Sequence, residues 1–173
     1  NLEDISYALN ICKYFDRPAC ACMKHVNPSG AAVGSHDETL TDVYRKARDC
    51  DARAAFGCVT AFNTTVDAET AREIMSTFVE CVVAPAFTPE ALAVFNDNET
   101  FKMNKSIRIL QCGDLSQLPK YMDDNAAQYR TVKTLHDGSL IIADPLLTNV
   151  RRTDDIKPAT KKKKKMGEQT TST

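Results

Sequence analysis

Between residues 2 and 112 the chain alternates amphipathic helical runs with apolar runs only five to seven residues long, and this rhythm constrains its fold more than any other feature. Leu2, Ile5, Leu9 and Cys12 recur at spacings of three and four, which predicts a helix over residues 2–15, ahead of Arg17-Pro18. Residues 19–25 are short, apolar and Cys-rich. Pro18 stands before them and Asn27-Pro28-Ser29-Gly30 after them, so they read as a buried strand ending in a turn. A helix is expected over residues 39–50 with Leu40, Val43 and Ala47 inward, then a strand over residues 58–62. Asp67 is placed to cap a helix reaching about Thr77, and residues 80–84 follow as strand. Thr88-Pro89-Glu90 is a strong helix start, with Thr as cap and Pro at the first helical position. Residues 107–112 form a further strand candidate and 113–125 a loop. Residues 129–135 and 139–143 are expected to pair as a hairpin around His136-Asp137-Gly138. Strands separated by helices imply an α/β fold: three αβα layers on a mostly parallel sheet, with an antiparallel hairpin at one end.

At 173 residues the chain has enough material for one domain with a substantial core. Its 43% hydrophobic and 26% charged content excludes disordered, collagen-like and coiled-coil classes. The longest apolar runs fall far short of the roughly 18 residues a membrane span requires, so no membrane association is expected. Asn1-Leu2-Glu3-Asp4 shows neither a starting Met nor the basic and apolar regions of a signal peptide, and reads as the beginning of a piece of something longer.

The net charge of −1 conceals a division. Residues 1–150 hold 14 Lys and Arg against 20 Asp and Glu, whereas residues 151–173 hold 8 against 3. An acidic body lacks the basic stripe that nucleic-acid binding requires, so nucleic acid is not an expected partner. We therefore read residues 1–150 as the folded unit and 151–173 as a basic, polar linker or tail containing the run from Lys161 to Lys165. A binding arm built on those lysines is the alternative reading of the tail. The seven cysteines are odd in number, lie in apolar stretches and form no C-x-x-C pair, which points to a reducing compartment and to buried structural thiols. Cys20 and Cys22 would share one face of a strand. No zinc is expected, because His25, His36 and His136 lack ligand spacing.

Phosphate-loop, dinucleotide and nucleophile-elbow signatures are all missing. What remains is Lys24-His25-Val26-Asn27-Pro28-Ser29-Gly30-Ala31-Ala32-Val33-Gly34, where a strand delivers two titratable side chains to a Pro/Gly segment. Strand ends are where open α/β sheets place their sites. Neighbouring strand residues point to opposite faces, so Lys24 and His25 can share a site only if the backbone turns at His25. An imidazole able to take a proton near pH 7, next to an ammonium able to face a developing oxyanion, suits acyl or formyl transfer. Spacing alone leaves a second reading open: a hydrogen-bonded core histidine beside a surface cation.

The segment from Lys24 to Gly34 closely resembles the KHxNPxGxA-type signature of the AICAR transformylase domain of bifunctional purine biosynthesis proteins, which also carry IMP cyclohydrolase. Ala54-Ala55-Phe56-Gly57 with Ala61-Phe62-Asn63 is similar to that family's SAFGG-x-x-AFN segment, and residues 78–85 to its FxExxxAP segment, in the same order. Asp137-Gly138-Ser139-Leu140-Ile141 is similar to its GGLL-type strand, so the resemblance covers about residues 1–156. It implies formyl transfer from 10-formyltetrahydrofolate, a cosubstrate, to the 5-amino group of AICAR, giving FAICAR in purine biosynthesis. His25 matches the family's proton acceptor and Lys24 its transition-state stabiliser. Gly57 and Glu80 match AICAR contacts, and Phe56 is expected to pack against the ligand. Read from pattern alone, Gly57 is a left-handed turn and Glu80 an exposed acid at a strand end.

The resemblance further implies a cytidine-deaminase-like unit without deaminase chemistry, since the H-x-E and P-C-x-x-C motifs of the zinc deaminases are missing. It implies a cytosolic homodimer with active sites at the subunit interface. The family's cyclohydrolase half, its RYGENPHQ-like segment and a second unit with the formyl-orienting Asn are outside this sequence. A partial chain, inactive alone and exposing apolar surface, is therefore expected. A non-catalytic scaffold is the remaining alternative, and the joint presence of Lys24, His25, Gly57 and Glu80 argues against it.

Overall fold

The structure, a computed structural model, describes residues 1–157; the lysine run lies outside the described residues. The chain divides into two compact units, residues 1–118 and residues from 119 onward. In chain order the first unit contains α1 (Leu2–Cys12), β1 (Ala19–Lys24), β2 (Asn27–Val33), α2 (Leu40–Asp49), β3 (Cys58–Phe62), α3 (Ala68–Met75), β4 (Val79–Ala84), α4 (Pro89–Phe95) and β5 (Arg108–Gln111). These strands form one mixed sheet in the order β2-β1-β3-β4-β5. Strands β3, β4 and β5 run parallel, while β1 is antiparallel to both β3 and β2.

The starts of α3 and α4 follow the caps read from the sequence at Asp67 and Thr88, and α2 adds a cap that the sequence reading had not named. Thr39 and Asp42 form a reciprocal capping box on α2, Asp67 accepts from the Thr70 N–H at the start of α3, and Thr88 caps α4 with Pro89 behind it. Each cap satisfies backbone N–H groups that the first helical turn leaves without an intrahelical acceptor. Helix α1 ends at Cys12, three residues before its expected limit.

Alternation along the central strands sorts their side chains into two cores. Cys20, Cys22, Cys58, Phe62 and Val82 meet α2, α3 and α4 on one face. On the opposite face Ala21, Met23, Val59, Ala61, Cys81 and Val83 meet Ile5, Ala8 and Cys12 of α1, together with Leu115. A sheet covered on both sides is the three-layer α/β arrangement, and it explains why β1, β3 and β4 read as nearly continuous apolar runs. The cysteines are all free, and only Cys50 is exposed. Burial pushes the Cys12 thiol up to about 12 and Cys81 to about 11. These sulfurs therefore act as small protonated hydrophobes.

Two sequence expectations are corrected. Asn27-Pro28-Ser29-Gly30 is not a turn leaving the strand; it opens the edge strand β2, paired with β1. Pro28 fits there because an edge strand leaves one side without ladder partners. A bulge also absorbs the irregularity: Cys22 faces Gly30, Met23 faces Pro28, and Ser29 is left over with its hydroxyl donating to the Cys22 carbonyl at 3.2 Å. The hairpin of β6 (Thr131–Thr134) and β7 (Leu140–Ala143) forms where expected, around a Gly138 at φ 83°, but as a separate two-stranded sheet and not at one end of the main one. All its strand residues are exposed, so no burial ties them into the five-stranded ladder. The loop expected over residues 113–125 contains a 3₁₀ turn at Leu115–Gln117.

Helix α2 lies so close on β2 that Gly30 has no room for a side chain: a Cβ there would stand 2.0 Å from the Ala47 carbonyl oxygen and 2.7 Å from the Cys50 Cβ. Gly30→Ala should therefore lose about 3 kcal/mol, the upper range for overpacking, read as a lower urea midpoint. An unchanged midpoint would show that α2 does not seat on β2. On the outer surface Glu73 of α3 accepts from Arg45 at 2.7 Å and from Arg48 at 2.6 Å, joining α3 to α2. The Arg45 hydrogen bond holds the Glu73 carboxyl below its ordinary value of 4.5, opposed by partial burial and reinforced by Arg48. A carboxyl lowered by folding stabilises the protein above that ordinary value and loses the contribution as pH falls through the lowered one. Glu73→Gln should accordingly be less stable than wild type at pH 7, with the difference shrinking only in acid below the ordinary carboxyl range, as pH falls through the lowered value, in unfolding curves taken from neutral pH into that range.

Candidate active site

The site grows from the shortest connection in the sheet. Lys24 pairs with Asn27, so β1 turns into β2 through His25 and Val26 alone. Both turn residues have positive φ, 54° and 64°, as a type I′ hairpin requires. Such turns normally use Asn and Gly. An L-residue in the left-handed region costs about 1–2 kcal/mol, and β-branched Val26 is a marked outlier there. Strain of this kind persists only where the surroundings hold it, and here the central peptide is held at both polar ends. The Val26 N–H donates to Asp4 Oδ1 at 2.6 Å, and the His25 carbonyl accepts from Asn27 Nδ2 at 2.8 Å.

The turn answers the condition set by the sequence. Lys24 is the last residue of β1 and His25 lies past the corner, so alternation no longer sends the two side chains to opposite faces. Lys24 is half-buried, and its Nζ donates to the Phe56 carbonyl. His25 is exposed, which removes the core-histidine reading. Gly57 is buried at φ 75° and donates its N–H to the Phe78 carbonyl at 2.8 Å. A Cβ on Gly57 would come within 3.5 Å of Lys24 Nζ and 3.1 Å of the Phe78 ring, so the lysine passes directly over the glycine. The Phe56 ring is 55% exposed and leans on Phe78 with centroids 5.2 Å apart, forming an aromatic surface beside the cation.

Lys24, His25, Asn27, Pro28 and Ser29 on the hairpin and Asp51, Arg53 and Ala54 before β3 line an open groove of about 520 Å³. Glu80 does not line it. That carboxylate is half-buried on β4 at the same end of the sheet, where a register shift sets Cys58 opposite Val79 and Val59 opposite Cys81, leaving Glu80 as the extra residue of a bulge. This sheet end is the C-terminal end of β1 but the N-terminal end of β3 and β4. Because β1 runs against β3, its exit lies beside the entry of β3 and β4.

Three contributors escaped the sequence reading. Asp51 and Arg53 flank the motif at Ala54-Ala55-Phe56-Gly57, and Asp51 accepting from the Ala54 N–H at 2.9 Å is a local turn signal that was available. Asp4 had no local signal, since it reaches the turn across 22 residues. Among the described residues no cluster of three or more His, Cys, Asp or Glu could hold a metal ion, and no helix is long and apolar enough to cross a membrane.

The family model for the AICARFT/IMPCHase bienzyme matches residues 1–172. The chain belongs to this family. Its relatives include the bifunctional purine biosynthesis protein PurH of Brachyspira hyodysenteriae, 35% identical over 167 residues, which covers 94% of this chain and 28% of that protein. The corresponding protein of Gloeothece citriformis is 39% identical over 152 residues, covering 86% of this chain and 26% of its own length. That of Sorangium cellulosum is 43% identical over 115 residues, covering 66% and 20%. The chain thus spans between about a fifth and somewhat over a quarter of the curated relatives it matches.

Against the family's SAFGG-type segment, Cys58 stands where the pattern has its second glycine. At that position the backbone does not require glycine: Cys58 is a buried residue of β3, and of the two positions only Gly57 has a positive φ. Gly57→Ala should therefore cost about 1–2 kcal/mol from backbone conformation and push back the Phe78 ring, which a Cβ would meet at 3.1 Å, while Lys24 at 3.5 Å stays in ordinary contact. A crystal structure of the variant with the Phe78 ring unmoved would contradict that assignment.

Proposed function

We propose that this chain supplies part of an AICAR transformylase active site, in which a formyl group passes from 10-formyltetrahydrofolate to the amine of AICAR within a longer bifunctional protein. The carrying observation is the strained hairpin turn, which sets an exposed His25 next to a Lys24 anchored over Gly57. The aromatic amine of AICAR is a weak nucleophile. His25 takes its proton as the nitrogen attacks the formyl carbon, the new C–N bond forms, and negative charge gathers on the formyl oxygen. Lys24 presents a fixed positive charge to that oxygen. Collapse breaks the bond from the formyl carbon to the folate nitrogen, which receives the proton His25 had taken, and FAICAR and tetrahydrofolate leave.

Gly57 permits close approach of the substrate to the backbone, and Glu80 offers acceptors to its amide or amino groups. Phe56 provides a flat apolar face for a ring. The groove is open to solvent beside Lys24 and His25, so a substrate can reach both side chains. The exposed apolar side chains Val132, Leu140, Ile141 and Ile142 on the β6–β7 hairpin support a homodimer or a further unit covering that face. A reducing, cytosolic setting agrees with seven free cysteines. In this reading residues 1–150 form the first unit of the transformylase domain and the basic tail is its linker.

His25→Ala in the complete bifunctional protein should lower formyl transfer by about a hundredfold or more, assayed with AICAR and 10-formyltetrahydrofolate, while cyclohydrolase activity is retained. Unchanged transfer would remove the imidazole from the chemistry.

A further inference from the structure

Within this proposed site no function has yet been given to Asp4, a half-buried residue in the first turn of α1, on the opposite side of the chain's first connection from the turn it touches. Its carboxylate accepts the Val26 N–H at 2.6 Å, the amide of the most strained residue in the site. We propose that Asp4 is a positioning residue for His25: it locks the central peptide of the turn, and with it the direction in which the imidazole projects. The proposal rests on the reading of His25 as the proton acceptor.

The link from Asp4 to His25 is conformational. A two-residue turn has one central peptide group, and its orientation fixes ψ of His25 and φ of Val26 together. Val26 is β-branched and exposed, so neither its own preference nor core packing favours φ 64°. Released from that angle, the peptide would rotate toward the right-handed region that Val and His both prefer, carrying the His25 side chain with it. Two side chains oppose the rotation, one at each polar end: Asn27 Nδ2 on the His25 carbonyl and Asp4 Oδ1 on the Val26 N–H. Asn27 is adjacent in sequence and moves with the hairpin. Asp4 is the stationary anchor, because α1 is packed through Ile5, Ala8 and Cys12 against the sheet face formed by Ala21 and Met23 of the same β1. Helix and turn are thereby registered to one another, and the charge of the acceptor makes this hydrogen bond stronger than a neutral one.

The mechanism makes a compensation testable. If Asp4 acts by holding Val26 in the left-handed region, a residue that enters that region freely should remove the need for it, and glycine is that residue. In the complete bifunctional protein Asp4→Ala should lower kcat for formyl transfer by about ten- to a hundredfold, the scale of a misplaced catalytic group. Thermal stability should stay high enough for the enzyme to remain folded at the assay temperature. Asp4→Asn retains a carbonyl acceptor at the same place and should stay within about threefold of wild type. Adding Val26→Gly to Asp4→Ala should recover most of the lost kcat. Hydrogen exchange of the peptide spanning residues 23–28 should accelerate in Asp4→Ala and slow again in Asp4→Asn.

A purely structural Asp4 would instead lower the melting temperature without changing kcat, and Val26→Gly would rescue nothing; either result overturns the proposal. His25→Ala separates the two levels. Should His25→Ala cut turnover while Asp4→Ala does not, positioning by Asp4 fails and the imidazole reading stands. Should neither variant change turnover, both fall together.

Discussion

The whole architecture depends on burying the central strands β1, β3 and β4 on both faces at once. Each residue of β3 is buried, and β1 and β4 each leave one residue only half covered, Lys24 and Glu80. Both exceptions are polar and both sit at the same sheet end, so burial itself marks where the sheet meets solvent with charged groups. Fully burying a large aliphatic or aromatic side chain is worth about 1.5–3 kcal/mol, and the paired cores contain Tyr44, Phe62, Ile74 and Met23 among many smaller residues. With that much apolar surface committed to two helical layers, register is fixed, since a slip of one residue would exchange the two faces of every strand.

Rigidity of this kind is what lets a short turn carry strain. The β1–β2 hairpin is clamped from three directions: β3 pairs with β1, α2 rests on β2 at Gly30, and α1 holds the Val26 amide through Asp4. A turn with two non-glycine residues at positive φ would relax in an isolated hairpin. Within this sheet it is over-determined, and the result is an imidazole and an ammonium on adjacent residues that face the same groove. The antiparallel placement of β1 matters equally. It brings the exit of one strand onto the entry of two parallel strands, so that Gly57 and Glu80 share a sheet end with Lys24 and His25.

Much of this was legible residue by residue. Helix starts at Asp67 and Thr88 follow from capping chemistry, which is local, and β3 follows from a brief apolar run bounded by turn residues. Edge strand β2 was not legible, because Asn27-Pro28-Ser29-Gly30 has turn composition and only its pairing with β1 makes it a strand. That β6 and β7 pair only with each other was equally hidden, since their apolar residues would suit an edge of the main sheet as well as a two-stranded one. Within the site, Lys24, His25 and Gly57 were found through motif resemblance and proved to be neighbours. Asp51 and Arg53 needed the loop to close, and Asp4 needed α1 to pack.

The alternation of strands and helices, the caps at Asp67 and Thr88 and the motif residues are written in local spacing and side-chain chemistry. That the chain reverses at His25 and Val26 and not at Asn27-Pro28, that the exit of β1 lies beside the entry of β3 and β4, and that Asp4 reaches the turn follow from packing alone. One cause accounts for all three. Turn type, strand order and long-range hydrogen bonds are settled by which surfaces can be buried together, and the conformational cost of two strained residues is met by contacts that no short window of sequence contains.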